Sequence, residues 1–247
     1  MILVGGKDKI EAHLKNERGI KVNHNTINKY LHIHKKINPK ISLKNTIAMR
    51  NKKDREVSLK ARFRPPNKLK DLAPGVLLEK DMKYIIKLGQ NKQLKKESGY
   101  WYQQTIIDSF TRIRVIELTK DFESKTMSLA FDRAIKRMPF NIACVNVDNG
   151  SENKGHFSTC LQEKNIFQFY SNTATPTDNP RVERSHLSDE LEFYRRGNLY
   201  TNFEKQVNAS CKWEYIYNYL RPHQALNQMT PMTFYELWKK IQKKLIK

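Results

Sequence analysis

Three consecutive segments rich in apolar and β-branched residues most constrain the fold of this chain. They are VLLEKDMKYIIKL (76–88), YWYQQTIIDSF (100–110) and TRIRVIELT (111–119). Segments of this composition and length are typical of strands joined as hairpins or a meander. Helical and strand patterns then alternate, and this order predicts an α/β sheet of mixed strand direction with helices beside it. The later segments are helices at 124–138 and 158–164, strands at 141–148 and 166–169, and a helix opening with Asn179-Pro180.

Helical patterns also flank this region on both sides. Residues 8–16 predict a short helix, Gly19 interrupts it, and a second helix begins near Asn23 or Asn25. Two helices joined by a short turn with glycine have the outline of a helix-turn-helix, whose second helix reads DNA. DNA reading and plain packing of a helical hairpin both remain open. The outward residues of the second helix are Thr26, Asn28 and Lys29, and two more helices are predicted at 203–220 and 231–245.

The charge of the chain points to a polyanionic partner. Lys and Arg total 46 against 25 Asp and Glu, a formal net charge of +21. DNA, RNA and an anionic membrane surface all fit such a charge. Residues 39–73 form a basic linker, which is either a solvated connection or an arm lying along phosphates. RPPNKLKDLAPG (64–75) closes this segment and marks a domain boundary.

Other features narrow the class of protein. No apolar run reaches the roughly 20 residues that span a bilayer, and the start of the chain does not resemble a secretory signal. The three cysteines lack metal-ligand spacing and indicate reduced thiols in a cytoplasmic protein. The seven histidines do not pair with cysteines at zinc-finger spacing.

Three carboxylates stand where acids are unexpected. Asp81 interrupts an apolar strand, Asp148 ends another strand at a turn, and Glu183 lies in the first turns of the helix after Asn179. Together they could bind Mg²⁺ or Mn²⁺, which prefer oxygen ligands. Each acid alone also has an ordinary interpretation, as a turn residue, a solvent-facing strand residue or a partner of the helix dipole. The residue pattern alone leaves both interpretations open.

Five ordered motifs carry a resemblance to a known family. They are PGVLLEKDMKYI (74–85), GYWYQQTIIDSFTRIRVIEL (99–118), VDNGSEN (147–153), TPTDNPRVERSH (175–186) and WEYIYNYLRPHQALNQMTP (213–231). In this order they resemble insertion-sequence transposases with a retroviral-integrase-type catalytic core, named DDE for its Asp-Asp-Glu triad. The stretch from the first motif to the last makes up about two thirds of the chain, and the 35-residue interval between Asp148 and Glu183 agrees with the family's spacing.

The resemblance implies the function and its cofactor. Asp81, Asp148 and Glu183 would be the catalytic and metal-binding residues, with two Mg²⁺ or Mn²⁺ ions as cofactors. The reaction would be cleavage of a transposon end to release a 3′-OH, followed by attack of that hydroxyl on target DNA. Double-stranded DNA would be the partner, and at least a homodimer would act on it, in the cytoplasm on the bacterial chromosome. Candidate DNA-binding residues are Thr26, Asn28, Lys29, Asn149, Arg181, Arg184 and Arg221.

The resemblance also implies the domain organisation. A partial helix-turn-helix segment (1–38) and the basic linker (39–73) would precede a ribonuclease-H-like integrase core (74–200), a mixed five-stranded sheet flanked by helices. A helical extension (201–247) would follow.

Some residues depart from the family or invite a different assignment. The N-terminal region is shorter than in most relatives, Asn153 stands where an aromatic residue is common, and Glu190 where a basic or amide residue is common. Asp108, in the turn after the second predicted strand, is a tempting but wrong choice for the first acid. The set Ser151, Glu152 and His156 could pass for a hydrolase site but is assigned a supporting role.

Two alternative functions remain. One is a ribonuclease-H-like nuclease that cuts without joining. The other is a truncated or domesticated DNA-binding regulator without catalytic activity. For the Arg221-Pro222-His223 segment, phosphate contact and packing of the last helix are equally good interpretations.

Overall fold

The computed structural model describes residues 7–33, 64–87, 99–171 and 179–245. A five-stranded sheet lies at its centre, with strands in the order β3-β2-β1-β4-β5. The strands are β1 (Leu77–Ile86), β2 (Tyr100–Asp108), β3 (Arg114–Thr119), β4 (Cys144–Val147) and β5 (Phe167–Tyr170). β1, β2 and β3 pair antiparallel, whereas β4 pairs parallel with both β1 and β5. The predicted mixed five-stranded sheet is therefore confirmed.

Seven α-helices accompany the sheet within the described ranges. They are α1 (Lys7–Arg18), α2 (His24–Ile33), α3 (Ser124–Ile135), α4 (His156–Glu163), α5 (Pro180–Ser188), α6 (Phe203–Tyr215) and α7 (Pro231–Leu245). Wider π-type turns extend two of them, α5 through Asp189–Phe193 and α6 through Ile216–Leu220. All these helices were predicted from the sequence, with small differences at their ends. Each is too short or too polar to cross a membrane.

The core has two halves because successive side chains of a strand point to opposite faces. Ile106 joins one cluster with residues of α3, α4 and α7, among them Phe131 and Phe157. Its neighbour Ile107 joins the other cluster, with residues of α5 and α6 such as Trp213. Burying each such side chain stabilises the fold by about 1.5–3 kcal/mol. Both faces of the sheet are therefore covered by helices.

The first two helices form the predicted hairpin. Gly19 adopts a positive φ of 65° in the turn, a conformation that glycine takes without strain. Asn23 caps α2, because its Oδ1 accepts a hydrogen bond from the Asn25 backbone N–H at 2.8 Å. Two contacts dock the hairpin on the core: the Lys9 ammonium on Glu192 at 2.8 Å, and the Asn16 amide on the Gln228 carbonyl at 3.2 Å.

Several sequence predictions lie outside the described residues. They are the basic linker up to residue 63, both ends of the 1–38 segment (1–6 and 34–38) and the first four residues of the TPTDNPRVERSH motif (175–178). The described end of the linker packs on the core, where the Ser109 hydroxyl donates to the Lys70 carbonyl at 2.6 Å.

Candidate active site

Asp81 and Asp148 stand level on neighbouring strands. The parallel register of β1 and β4 pairs Leu78 with Val145 and Glu79 with Asn146. If this register is continued for two residues, Asp81 comes level with Asp148, the first residue after β4. Adjacent strands lie about 4.8 Å apart. The sequence therefore brings two of the three predicted acids together at one end of the parallel pair.

The turn after β4 holds the Asp148 carboxylate by one of its oxygens. Asp148 Oδ1 accepts hydrogen bonds from the Asn153 side-chain amide at 2.5 Å and from the Gly150 backbone N–H at 3.1 Å. Asn149 points elsewhere, and its amide donates to the Ser171 carbonyl at 2.8 Å. The turn is thus fastened to the end of β5, and among the described residues the hydrogen bonds to the Asp148 carboxylate go to Oδ1.

Glu79 attaches helix α5 to the strand that carries Asp81. Its Oε2 accepts hydrogen bonds from the backbone N–H groups of Arg181 at 2.8 Å and Val182 at 3.0 Å, in the first turn of α5. The Arg181 guanidinium lies 3.2 Å from Oε1. Glu79 is fully buried, and burial raises its pKa although these contacts lower it. A carboxylate from the sheet therefore caps a helix that would otherwise begin with unsatisfied donors.

A second pair of side chains fixes the same helix end. The Asn146 amide on β4 donates to Oδ1 of Asn179, the residue before α5, at 2.5 Å. Further along α5, His186 Nδ1 lies 3.4 Å from Oδ2 of Asp81. Burial raises the pKa of Asp81, but the His186 contact and the Met82 backbone N–H lower it further, so its net pKa is lowered. The helix of the third acid therefore packs directly on the first.

Glu183 itself lies on the exposed side of α5. Its backbone N–H completes the first turn by donating to the Asn179 carbonyl at 3.1 Å. Within the described part of the chain, no three His, Cys, Asp or Glu side chains are grouped so that they could hold a metal ion. The structure thus brings Asp81 and Asp148 together and places the Glu183 helix beside them, without closing the three carboxylates into one ligand set.

A buried lysine lies beside the two aspartates. Lys80 is 1% exposed, and its ammonium donates to Oδ1 of Asn153 at 2.5 Å and lies 4.8 Å from the centre of the Phe157 ring. Burial lowers its pKa to about 8, although the charges of Glu152, Asp148 and Asp81 raise it. Glu79, Lys80, Asn146 and His186 were not singled out from the sequence. A charged Glu-Lys-Asp run inside an apolar strand was the signal that could have identified the first two.

The predicted DNA-binding residues separate into two groups. Thr26, Lys29 and Arg184 are exposed, and Asn28 is half-buried. Arg181, Arg221 and Asn149 instead have partners inside the protein. Arg181 pairs with Glu79 and with Asp71, the latter at 2.8 Å. The expected DNA contact of Arg181 therefore does not fit its placement.

Arg221 likewise belongs to the interior. It is 7% exposed, and its guanidinium pairs with the Glu192 carboxylate at 2.7 Å and donates to the Ser188 hydroxyl at 3.0 Å. His223 is buried next to it, and burial lowers the His223 pKa to about 3. Packing of the last helix, not phosphate contact, is the interpretation that agrees with this geometry.

Three other acids have structural roles. Asp108 is fully buried and accepts hydrogen bonds from the backbone N–H groups of Gly75 at 2.9 Å and Thr111 at 2.7 Å, so it fixes a turn as predicted. Glu190 binds the Lys83 ammonium at 3.0 Å and the Arg195 guanidinium.

Glu152 is buried in the turn after β4, and burial raises its pKa. Its carboxylate folds over Gly150, where a Cβ would meet Glu152 Oε1 at 2.2 Å. Ser151 and His156 are exposed. Together these placements agree with a supporting role for the Ser151, Glu152 and His156 set.

Comparison with known proteins identifies a family pattern in one part of the chain. Residues 164–231, which include Glu183 and α6, match the family model described as "Integrase core domain". No curated protein matches the chain significantly. The matched segment excludes Asp81 and Asp148, so their assignment depends on the motifs and on the strand register.

Solved structures show the same fold. A chain of the simian T-cell lymphotropic virus intasome, in complex with PP2A regulatory subunit B56 gamma, aligns with a TM-score of 0.54 and 14% identity over 74% of this chain. This chain spans 61% of the length of that viral chain. The HTLV-2 integrase catalytic core domain in complex with magnesium, in its trimeric form, aligns with a TM-score of 0.50 and 18% identity. That alignment covers 67% of this chain and 99% of the viral domain.

The dimeric form of the HTLV-2 domain aligns similarly, with a TM-score of 0.50 and 17% identity over 66% of this chain and 98% of the viral domain. The TM-scores of 0.54 and 0.50 show a shared fold. The chain therefore has the ribonuclease-H-like fold of a retroviral integrase catalytic core, and its residues 164–231 carry the sequence pattern of an integrase core domain, which confirms the resemblance found in its motifs.

Proposed function

We propose that this chain is a DDE transposase that cleaves the ends of a DNA element and joins them to target DNA. The observation that carries the proposal is the parallel register of β1 and β4, which brings Asp81 level with Asp148 when it is continued by two residues, while Glu79 fastens α5 to β1. Two acidic side chains at the end of a parallel pair, beside a helix that supplies a third, suit phosphoryl transfer, in which positioning and charge neutralisation dominate catalysis.

The carboxylates fit a divalent cation by their chemistry. Asp81, Asp148 and Glu183 would hold Mg²⁺ or Mn²⁺, because hard oxygen donors suit these ions. Asp148 has Oδ1 committed to the protein and Oδ2 left for a ligand. A pair of such ions would stabilise the attacking and leaving oxygens of the displacement. The magnesium complex of the HTLV-2 integrase catalytic core domain supports this choice of cofactor.

The protein's own residues would orient these acids and admit the DNA. Glu79 and His186 hold α5 against β1. The Asn149–Gly150 turn, which the Asn149 amide fastens to Ser171, would leave room for DNA to approach Asp148. Water would first release a 3′-OH at the transposon end, and that hydroxyl would then attack a target phosphodiester. No covalent bond to the protein forms in this scheme.

The DNA partner follows from charge and exposure. A net charge of +21 favours binding along phosphates. Thr26 and Lys29 on α2 and Arg184 on α5 are exposed and would contact DNA. Because two ends must be joined, we propose at least a homodimer acting on the bacterial chromosome. The dimeric and trimeric forms of the HTLV-2 domain support oligomerisation.

One observation favours a second candidate, a DNA-binding regulator without catalytic activity. The Lys80 ammonium already places a positive charge among Asp81, Asp148 and Glu152. In the described residues the three proposed acids do not form a closed ligand set. A regulator would bind the element's ends and neither cut nor join them.

Three single variants separate these candidates. Asp81→Asn, Asp148→Asn and Glu183→Gln should each abolish Mg²⁺-dependent cutting and joining of labelled donor ends, while DNA affinity stays within about twofold of wild type. Glu190→Gln is the matched control, because Glu190 follows on the same helix but pairs with Lys83 and Arg195. Joining by any triad variant at the wild-type rate refutes the assignment. A wild-type protein that binds ends without cutting supports the regulator, and cutting without joining supports a nuclease.

A further inference from the structure

Lys80 has an ammonium group that is buried at the sheet, beside the proposed catalytic aspartates. Lys80 is on the face of β1 that carries Leu78 and Met82 into an apolar cluster. It is 1% exposed and lies over the Phe157 ring. Burying an ammonium in such surroundings costs several kcal/mol unless its donors are used. An apolar side chain would fill the same position at a lower cost in free energy, so the buried charge points to a function of Lys80.

The hydrogen bonds of Asn153 indicate what that function is. Lysine can only donate hydrogen bonds and an ionised aspartate can only accept them. Asn153 lies between the two, with Oδ1 accepting from Lys80 at 2.5 Å and Nδ2 donating to Asp148 Oδ1 at 2.5 Å. Because only one orientation of the amide satisfies both neighbours, Lys80 decides which end of Asn153 faces Asp148.

The bridge is rigid at its centre. Asn153 is 1% exposed, and its backbone carbonyl accepts a hydrogen bond from the Gln168 side chain on β5 at 2.7 Å. The same carbonyl also accepts from the Ser158 hydroxyl at 3.3 Å. These bonds fix the backbone from which the Asn153 amide extends, and burial restricts the amide to the orientation in which it bonds both Lys80 and Asp148.

We infer that Lys80 and Asn153 are positioning residues, which lock Asp148 by its Oδ1 and thereby present Oδ2 to the reacting centre. The inference deepens the proposed function and rests on it for its catalytic consequence. It also accounts for a departure from the family, because Asn153 stands where relatives often carry an aromatic residue. A phenylalanine at this position could neither accept from Lys80 nor donate to Asp148.

The variants that test the bridge are Lys80→Met, Asn153→Leu and the double variant. Lys80→Met nearly keeps the side-chain volume, Asn153→Leu keeps the branched shape of the side chain, and both remove the hydrogen bonds. Lys83→Met is the matched control, since Lys83 is on the same strand but pairs with Glu190 on the opposite side. Circular dichroism and thermal melts of the full chain confirm that each variant folds.

The first readout is independent of metal and of activity. In the metal-free protein, the Asn153 side-chain NH₂ protons should exchange with solvent at least tenfold faster in Lys80→Met than in wild type or Lys83→Met. This is measured by NMR. An unchanged exchange rate overturns the inference whatever the enzyme does. A wild-type protein that shows this protection but joins no DNA counts against the proposed function instead.

The second readout measures coupling. Each single variant should weaken Mn²⁺ binding, followed by electron paramagnetic resonance, and the joining rate by at least tenfold, with DNA affinity unchanged. The joining rate of the double variant should lie within about threefold of the rate of the slower single variant, because either substitution already breaks the bridge. Losses that multiply, to a hundredfold or more, would show two independent roles and contradict the inference.

Discussion

Glu79 is the residue whose replacement tests most sharply how the site is built. The Glu79 carboxylate is fully buried and accepts both free backbone N–H groups at the start of α5, from Arg181 and Val182. Glu79→Ala removes this cap and leaves the Arg181 guanidinium with Asp71 as its remaining partner. Glu79→Gln keeps the volume and one acceptor oxygen but removes the charge.

The expected losses follow from the contacts. Removing one partner of a buried ion pair costs about 3–5 kcal/mol. A protein of this size loses roughly 2–4 °C in melting temperature for each kcal/mol. Glu79→Ala should therefore melt about 6–20 °C below wild type. Glu79→Gln, with one acceptor left, should lose about half as much.

Local exchange distinguishes a lost helix cap from general damage to the protein. Hydrogen exchange of the Arg181 and Val182 amides should accelerate strongly in Glu79→Ala, while amides of β2 keep their protection. Glu163→Gln is the control, because Glu163 is exposed on α4 and its replacement should change stability by less than 0.5 kcal/mol. A Glu79→Ala protein that melts within 2 °C of wild type, or whose Val182 amide exchanges at the wild-type rate, refutes the capping argument.

Two further predictions concern the interior pair near the last helix. Arg221→Met should lower the free energy of unfolding in urea by about 3 kcal/mol, because it leaves Glu192 without its closest cation. The affinity for DNA should change less than twofold. A tenfold loss of DNA affinity with unchanged stability would instead support a DNA-binding role for Arg221. Burial lowers the pKa of His223 to about 3 from 6.5, so the unfolded chain binds the extra proton between these values. The stability that the buried neutral His223 contributes is therefore fully present above pH 6.5, and it falls by about 1.4 kcal/mol per pH unit below that value. Urea unfolding at pH 7, 6 and 5 should therefore show a steeper decline for wild type than for His223→Gln, and equal slopes would contradict it.

The sheet and the two aspartates could be predicted from the sequence for a simple reason. Strand periodicity identified β1 and β4, and the acid inside β1 and the acid directly after β4 are local features. The parallel register, continued by two residues, sets Asp81 level with Asp148. The helix that begins at Pro180 is equally local, since Asn179 stands at its N-cap position and the proline is its first residue.

The supporting residues could not be predicted in the same way. Glu79 meets Arg181 across about a hundred residues, and Lys80 meets Asn153 across 73. Neither pairing has a period or spacing that the sequence displays. The acidic partners of Arg181 and Arg221 could not be predicted for a related reason, because a basic residue in a basic protein looks available until its acidic partner is known.

The most direct test of the account follows the phosphorus atom that the proposed reaction attacks. Wild-type protein, pre-cleaved donor DNA with a free 3′-OH, and target DNA with one chiral phosphorothioate are incubated with Mg²⁺. Direct attack of the hydroxyl is an in-line displacement and inverts the configuration at that phosphorus. The account predicts a joined product with inverted configuration, formed by wild type and absent with Asp148→Asn. Retention of configuration, or a joined product from Asp148→Asn, would contradict it.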